Sequence, residues 1–241
     1  PFPYLSEEVE YINLQSGLKL AGTLTLPENA KNCTAVILIS GSGAQDRDES
    51  VFGHKPFFVI ADYLTRNGIA VLRVDDRGIG GSEGNTQNVT SEDFAGDVLA
   101  GVEFLKTKKE INQNKIGLIG HSEGGLIAPI VANRSADVEF IILLAGPGIK
   151  GEQIIYKQVE LLNRAAGLTE EQVTQKINLQ KAIFDILLNE KDTANQMDQL
   201  QEVFSNGMYA TMNVDQKKAI DAGLNALKTP WFRFFLTYDP Y

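Results

Sequence analysis

The sequence predicts an α/β protein with a mostly parallel, doubly wound sheet. Nearly continuous apolar runs recur through its N-terminal part, segments with helical periodicity separate them, and a glycine-rich turn joins one run directly to a helix. Such runs are typical of parallel strands that helices bury on both faces. The runs are Ala35–Ile39, Ile69–Val74, Ile116–Ile119 and Phe140–Leu144.

Two further strands precede these runs, and their pattern predicts an antiparallel pair. Val9–Leu14 is followed by a turn at Ser16-Gly17, and Pro27 ends the second strand. Within the second strand the side chains alternate, as in a strand with one exposed face. Leu18, Leu20, Leu24 and Leu26 alternate there with Lys19, Ala21, Thr23 and Thr25.

Two helices are predicted between the parallel strands. Pro56–Asn67 has one apolar face and stops at Gly68, whereas Thr90–Lys106 opens with a capping box formed by Thr90 and Asp93. Strand–helix–strand repetition gives right-handed crossovers, so functional loops are expected at the carboxyl ends of the strands.

One such loop, Gly120-His121-Ser122-Glu123-Gly124, joins a predicted strand to a predicted helix. This is the context required of a G-x-S-x-G nucleophile elbow, in which a strained backbone lifts the serine hydroxyl clear of the sheet. A side chain at Gly120 or Gly124 is expected to collide with a neighbouring element. Ser122 is therefore the candidate nucleophile, and the alternative is a glycine-rich turn with an incidental serine.

A second loop, Ser40–Asp48, follows the Ala35–Ile39 strand. An elbow serine needs a backbone N–H from this position beside the N–H of the residue that follows the nucleophile. The backbone N–H of Ser42 or Gly43 and that of Glu123 are thus the candidate oxyanion donors. A phosphate-binding loop is disfavoured because the Lys-Ser/Thr ending is missing. Asp46-Arg47-Asp48 predicts an ion-pair network that anchors the loop.

A third loop, Asp75–Ser82, contains Gly78-x-Gly80. A dinucleotide fingerprint is disfavoured, because a third glycine in phase and a following helix are missing. The loop is expected to shape a pocket wall.

The composition excludes several classes of partner and site. The net charge is −9 and no basic cluster occurs, which argues against a nucleic-acid partner. A single cysteine, Cys33, excludes an internal disulfide and a cysteine-rich metal site. No apolar run approaches membrane-spanning length. The sequence opens at Pro1 without a methionine, which predicts that an upstream segment has been removed; whether that segment was an export signal, and so the compartment, stays open.

The combination of motifs resembles the α/β-hydrolase superfamily, and within it the bacterial serine esterase/peptidase-like group with a helical cap. Ser40-Gly41-Ser42-Gly43, Asp76-Arg77-Gly78-x-Gly80-x-Ser82 and Gly120–Gly125 occur in the family order, and the resemblance covers residues 8–241. It implies the α/β-hydrolase fold, nucleophilic attack by Ser122, an acyl-enzyme intermediate, a small ester or amide substrate, no metal and no organic cofactor.

The resemblance also implies a domain organisation. Residues 1–150 would form the N-terminal part of the hydrolase core, 151–228 a helical cap that covers the active site, and 229–241 a return segment towards further core strands. Gly151–Lys228 contains no strand-like run and has a capping box at Thr169 and Gln172. A lid lined with apolar residues would favour an acyl or aromatic substrate.

The histidines depart from the family pattern, which requires serine, acid and histidine in that order. The two histidines are His54 and His121, and neither follows Ser122. The ring of His121 is expected to pack below the elbow, and His54 is expected to hydrogen-bond nearby backbone at a helix start. We therefore expect the acid and the base to lie after Tyr241, so that the 241 residues form a fragment that is close to inactive and self-associates through an exposed sheet edge.

The sequence thus predicts a serine hydrolase that cleaves carboxylic esters. An amidase or peptidase of the same fold and a non-catalytic, ligand-binding hydrolase-like domain are the alternatives.

Overall fold

The computed structural model describes residues 2–205 and 211–240. The chain divides into two compact units, Pro1–Pro147 and Gly148–Tyr241. The first unit is built on a β-sheet, and the described part of the second is helical.

The sheet of the first unit has six strands in the order β1-β2-β4-β3-β5-β6. β1 pairs with β2, and β2 with β4, in antiparallel register, whereas β4, β3, β5 and β6 are mutually parallel neighbours. The predicted α/β class with antiparallel N-terminal strands is confirmed. The strands are β1 (Tyr4–Ile12), β2 (Lys19–Pro27), β3 (Cys33–Ile39), β4 (Ala70–Val74), β5 (Ile111–His121) and β6 (Val138–Leu144).

Three helices connect the parallel strands: α1 (Pro56–Arg66), α2 (Ser91–Lys106) and α3 (Gly124–Arg134). The capping box of Thr90 and Asp93 forms as predicted at the start of α2. Helix α1 packs its buried face on the parallel strands, which places the ends of β3, β4 and β5 on a rigid core. Val36, Leu38, Phe57, Ala61, Val71 and Ile119 form this cluster.

The predicted exposed face of β2 is wrong. Thr23 and Thr25 are buried, as are the leucines on the opposite face. Thr25 shares a hydrogen bond with Thr65 of α1, and the Thr23 hydroxyl donates to Glu8 and accepts from Arg47. The alternation was real, but hydroxyls that find buried partners let the polar face of this strand lie inside the protein.

The prediction that the Phe140–Leu144 run is buried on both faces is also wrong. Ile142 and Leu143 are 44% and 45% exposed. The cause is the position of β6 at one end of the sheet order, with β5 as its neighbour. An edge strand loses cover that a central strand receives, although its sequence can be equally apolar.

The second unit contains α4 (Gly151–Ala165), α5 (Glu170–Asn189), α6 (Thr193–Phe204), α7 (Val214–Leu227) and α8 (Pro230–Thr237). The capping box of Thr169 and Gln172 forms as predicted. The core of this unit is apolar and includes Leu236 of α8, with the half-buried Phe232 packed against it. The core residues are Ile183, Phe184, Leu187, Leu200, Leu224 and Leu236.

Part of the sequence-predicted cap, residues 206–210, lies outside the described residues. In the part of the chain that the structure describes, no helix is both long and apolar enough to cross a bilayer.

Candidate active site

Ser122 lies at a sharp turn between the end of β5 and the start of α3. Its φ is +51°, in the left-handed region that residues with a side chain rarely adopt. Hydrogen bonds hold this conformation: the Ser122 N–H donates to the Leu144 carbonyl, and the Ser122 carbonyl accepts from the Gly125 N–H, each at 2.9 Å. The strained turn predicted from the sequence is therefore present.

The glycines of the turn are needed for space. A Cβ on Gly120 would lie less than 3.0 Å from the Gly124 carbonyl, and a Cβ on Gly124 equally close to the Ile39 carbonyl. In both cases the obstacle is backbone, which cannot swing aside as a side chain can. The predicted collisions are confirmed, and they fix how closely the elbow approaches β3.

The loop after β3 passes beside Ser122. A Cβ built on Gly41 would lie 3.3 Å from Ser122 Cβ, so the backbone of this loop borders the candidate nucleophile. The Gly41 N–H donates to Glu49 Oε1 at 2.7 Å and is thereby occupied. Ser42 and Gly43, the sequence-predicted donors, follow directly and are exposed.

Glu123, the other predicted donor residue, is the N-cap of α3. Its side chain is buried, and Glu123 Oε1 accepts from the Ser91 hydroxyl at 2.7 Å. The start of α3 places the positive end of the helix dipole at the elbow, which favours an anion there.

Asp76 anchors the loop after β3 from the neighbouring strand end. Its carboxylate accepts from the Ser40 hydroxyl and from the Gln45 N–H, each at 2.9 Å. Burial, assisted by the nearby carboxylates of Glu123 and Asp97, raises the pKa of Asp76 to about 7, although both hydrogen bonds favour the ionised form. Asp76 is thus a carboxyl group that titrates near neutral pH.

Arg47 ties the same loop to β4, as the predicted ion-pair network requires. Arg47 Nη2 lies 2.7 Å from Asp75 Oδ2, and the Arg47 guanidinium also pairs with Glu8. Burial alone would raise the pKa of Asp75, but hydrogen bonds from Arg47 and Gly81 outweigh it and the pKa is lowered. The ion-pair interpretation is confirmed for Arg47 and for Asp48, which pairs with Arg73 and Lys55, whereas Asp46 accepts from the N–H groups of Asp48 and Ser50.

Neither histidine lies in hydrogen-bond contact with Ser122 among the described residues. The predicted packing of His121 below the elbow is wrong: its side chain is 43% exposed, and Nδ1 lies 2.7 Å from Glu49 Oε1. The reason is that the buried carboxylate of Glu49 lies beside the ring and forms a hydrogen bond with it. His54 is exposed and pairs through its backbone with Val51 next to α1, as expected.

Glu49 is the residue that the sequence reasoning missed. It is buried, has a φ of +51°, and its carboxylate contacts both Gly41 and His121. No motif contains it, and its partner His121 is 72 residues away in the sequence. Only the pairing of β3 with β5 brings the two together.

A cavity of about 50 Å³ lies behind the loop, lined by apolar side chains and by Ser40, Gly41, Asp76 and Glu123. This volume suits water molecules and is far below the several hundred Å³ of a typical ligand pocket. Within residues 2–205 and 211–240, no group of three or more His, Cys, Asp or Glu side chains is arranged to hold a metal ion.

Curated relatives support a hydrolase assignment. Esterase EstD of Thermotoga maritima is 30% identical over 160 residues, which is 66% of this chain and 38% of the relative. Thiohydrolase aneE of Aspergillus aculeatus is 34% identical over 122 residues, 50% of this chain and 35% of the relative. The chain thus spans well under half the length of these two relatives.

Solved structures agree on the fold. The α/β-hydrolase GrgF from Penicillium sp. sh18 superimposes with a TM-score of 0.56 at 20% identity, over 98% of this chain and 74% of that one. An esterase from Pyrococcus furiosus gives a TM-score of 0.55 at 18% identity, over 95% of this chain and 92% of that one.

The family model described as serine aminopeptidase, S33, matches residues 55–229. Because this match covers most of the chain, the protein belongs to the S33 serine aminopeptidase family of α/β-hydrolases.

Proposed function

We propose that the protein is a serine hydrolase that cleaves carboxylic esters through an acyl-enzyme intermediate. The observation that carries the proposal is Ser122 at φ +51° on the turn between β5 and α3, with the loop after β3 at its side. A serine held in this way is typical of a nucleophile elbow. The esterase relatives make an ester the first substrate to test.

The proposed chemistry uses backbone donors around the elbow. Ser122 Oγ attacks the acyl carbonyl carbon, the hydroxyl proton passes to a base, and the carbonyl oxygen becomes an oxyanion. The backbone N–H of Glu123 and that of Ser42 or Gly43 would donate to this oxygen. One such donor contributes roughly 3–4 kcal/mol to transition-state stabilisation in a comparable hydrolase. The protonated base gives this proton to the departing oxygen, so that the alcohol leaves and the acyl group stays on Ser122. Water, which passes a proton to the same base, then attacks the acyl carbonyl carbon, and the proton returns to Ser122 Oγ as the acid is released.

The contacts described for Ser122 do not identify the base that the proposed reaction requires. A serine hydroxyl is a weak nucleophile unless a base accepts its proton. His121 is engaged by Glu49 through Nδ1, and His54 is exposed beside α1. We therefore expect the contacts described here to support only slow ester hydrolysis. Because the chain spans well under half the length of the two curated relatives, the form to assay is the protein translated from its full coding sequence, called here the natural-length protein.

The test combines turnover and covalent labelling. The natural-length protein should hydrolyse a p-nitrophenyl ester and react with a fluorophosphonate probe at the peptide that contains Ser122. Ser122→Ala should lose the label and at least ~10⁴-fold in kcat. Ser135→Ala, at the far end of α3, is the matched control and should retain both. Activity of Ser122→Ala within tenfold of the parent would remove Ser122 from the mechanism.

Amide hydrolysis is the second candidate, favoured by the aminopeptidase description of the family. Acyl transfer to water uses the same groups with an amine as the leaving group. Parallel assays on a p-nitrophenyl ester and an aminoacyl p-nitroanilide decide between them. Absence of both turnover and labelling in the natural-length protein would favour a domain that only binds its ligand.

The helical segment is proposed to select the substrate. It carries exposed apolar side chains, which include Leu161, Leu162 and Val214, and side chains of this kind favour acyl or aromatic groups. Replacing residues 151–228 by a short linker should change the preferred ester chain length while labelling of Ser122 persists. An unchanged chain-length profile in a folded variant would refute this role.

A further inference from the structure

The Glu49 carboxylate joins three chain segments beside the elbow. Its Oε1 accepts from the Gly41 N–H and lies against His121 Nδ1, both at 2.7 Å. The side chain is only 9% exposed, so water competes little for these contacts. This one oxygen atom therefore links the loop after β3 to the end of β5.

The Gly41 peptide held by Glu49 lies next to Ser122. A Cβ built on Gly41 would lie 3.3 Å from Ser122 Cβ and 3.2 Å from Glu49 Oε1. Because Glu49 fixes the direction of the Gly41 N–H, it also limits how the next peptides, those of Ser42 and Gly43, can turn towards the nucleophile.

The strained backbone of Glu49 indicates that this position requires a glutamate side chain. Its φ of +51° is a conformation that glycine or asparagine adopts with less strain. Strain of this kind persists where the surroundings over-determine the conformation, and it occurs preferentially at functional sites.

We propose that Glu49 is a positioning residue of the active site, whose carboxylate oxygen holds the Gly41 peptide so that the following N–H groups face the oxyanion. The inference rests on the proposed role of Ser122. Glu49 acts through Gly41, since no hydrogen bond connects it to Ser122 in the part of the chain that the structure describes. An oxyanion contact forms only as charge develops, so its loss lowers kcat more than it changes KM.

The variants separate geometry from charge. Both contacts use Oε1, so Glu49→Gln keeps an acceptor oxygen at the same reach and should retain kcat within about threefold. Glu49→Asp keeps the charge but withdraws the oxygen by one methylene, and Glu49→Ala removes it; both should lower kcat by roughly 10–100-fold with KM within about threefold. His121→Ala leaves the contact with Gly41 in place and should cost less than Glu49→Ala.

An opposing result is equally specific. If the aspartate variant is more active than the glutamine variant, charge matters and the positioning role is wrong. If His121→Ala and Glu49→Gln each lower kcat as much as Ser122→Ala does, Glu49 and His121 form a catalytic pair instead. Should Glu49→Ala fail to fold, the comparison of kcat between Glu49→Gln and Glu49→Asp still tests the positioning role.

A second readout is independent of turnover. Hydrogen exchange of the Gly41 amide, followed by NMR on glycine-labelled protein, should be slow in the parent and in Glu49→Gln, and at least tenfold faster in Glu49→Asp and Glu49→Ala. Equal exchange in all four proteins would overturn the inference. If Ser122-dependent turnover is absent, the proposed function fails, and this exchange rate still reports on the Glu49 contact.

Discussion

Asp76→Asn should make the protein more stable at alkaline pH. The pKa of Asp76 is about 7 in the folded protein, against an ordinary value of 3.8. A raised folded-state pKa means that stability is complete at low pH and is lost as pH rises through the folded pKa. The difference between the two pKa values corresponds to about 4 kcal/mol in total, of which about 3 kcal/mol falls between pH 5 and pH 9.

Asparagine is close in shape to the protonated acid and can still accept from the Gln45 N–H and donate to the Ser40 hydroxyl. The free energy of unfolding of the variant, minus that of the parent, should therefore rise by about 3 kcal/mol from about pH 5 to about pH 9. Urea unfolding followed by circular dichroism measures this difference at both pH values.

Asp75→Asn is the matched control, because the neighbouring carboxylate has a lowered pKa. It is ionised across the whole range in both folded and unfolded chains, so its variant should be destabilised by roughly 3–5 kcal/mol through the loss of the buried Arg47 pair, with little dependence on pH. A stability difference for Asp76→Asn that is equally flat would refute the reasoning, since it would mean that Asp76 titrates at its ordinary pKa.

Three further outcomes are expected. Gly124→Ala should lower stability by at least about 1–3 kcal/mol and abolish labelling of Ser122, because the new Cβ meets the Ile39 carbonyl; an unchanged melting temperature would contradict this. Thr90→Ala removes the capping box of α2 and should cost about 1 kcal/mol in urea unfolding. Exposed apolar residues on the edge strand β6 predict self-association, which Ile142→Lys should weaken in sedimentation across a concentration series.

Local sequence patterns predicted the elbow and the strands and helices that flank it, whereas the first strand was predicted at Val9–Leu14 instead of Tyr4–Ile12 and helix α8 was not predicted. An apolar run followed by Gly120-x-Ser122-x-Gly124 specifies a tight strand–turn–helix, because the obstacles to a side chain there are backbone atoms of the turn and of the adjoining strand. The capping boxes at Thr90 and Thr169 are equally local, since each joins residues three apart.

The burial of individual strands was harder to predict from sequence patterns, because it depends on the order of strands in the sheet. β2 and β6 were assigned opposite environments from their patterns, and both assignments were wrong. β2 lies between β1 and β4, where Thr65 and Arg47 cover its threonines, whereas β6 lies at the end of the order. Strand order follows from crossovers that periodicity does not encode.

Residues that position the candidate site were also not predictable from local patterns, as a comparison of Ser122 with Glu49 illustrates. Ser122 and Glu49 both have φ near +51°, and both border Gly41. The sequence reveals the strain at Ser122 because glycines surround it, but at Glu49 it offers only a glutamate in an acidic loop. What distinguishes Glu49 is a contact with His121 at the end of another strand, so the pairing of β3 with β5 must be known before the carboxylate can be linked to the nucleophile. Residues that carry chemistry can be read from motifs, whereas residues that hold them in place act through tertiary contacts and require the fold.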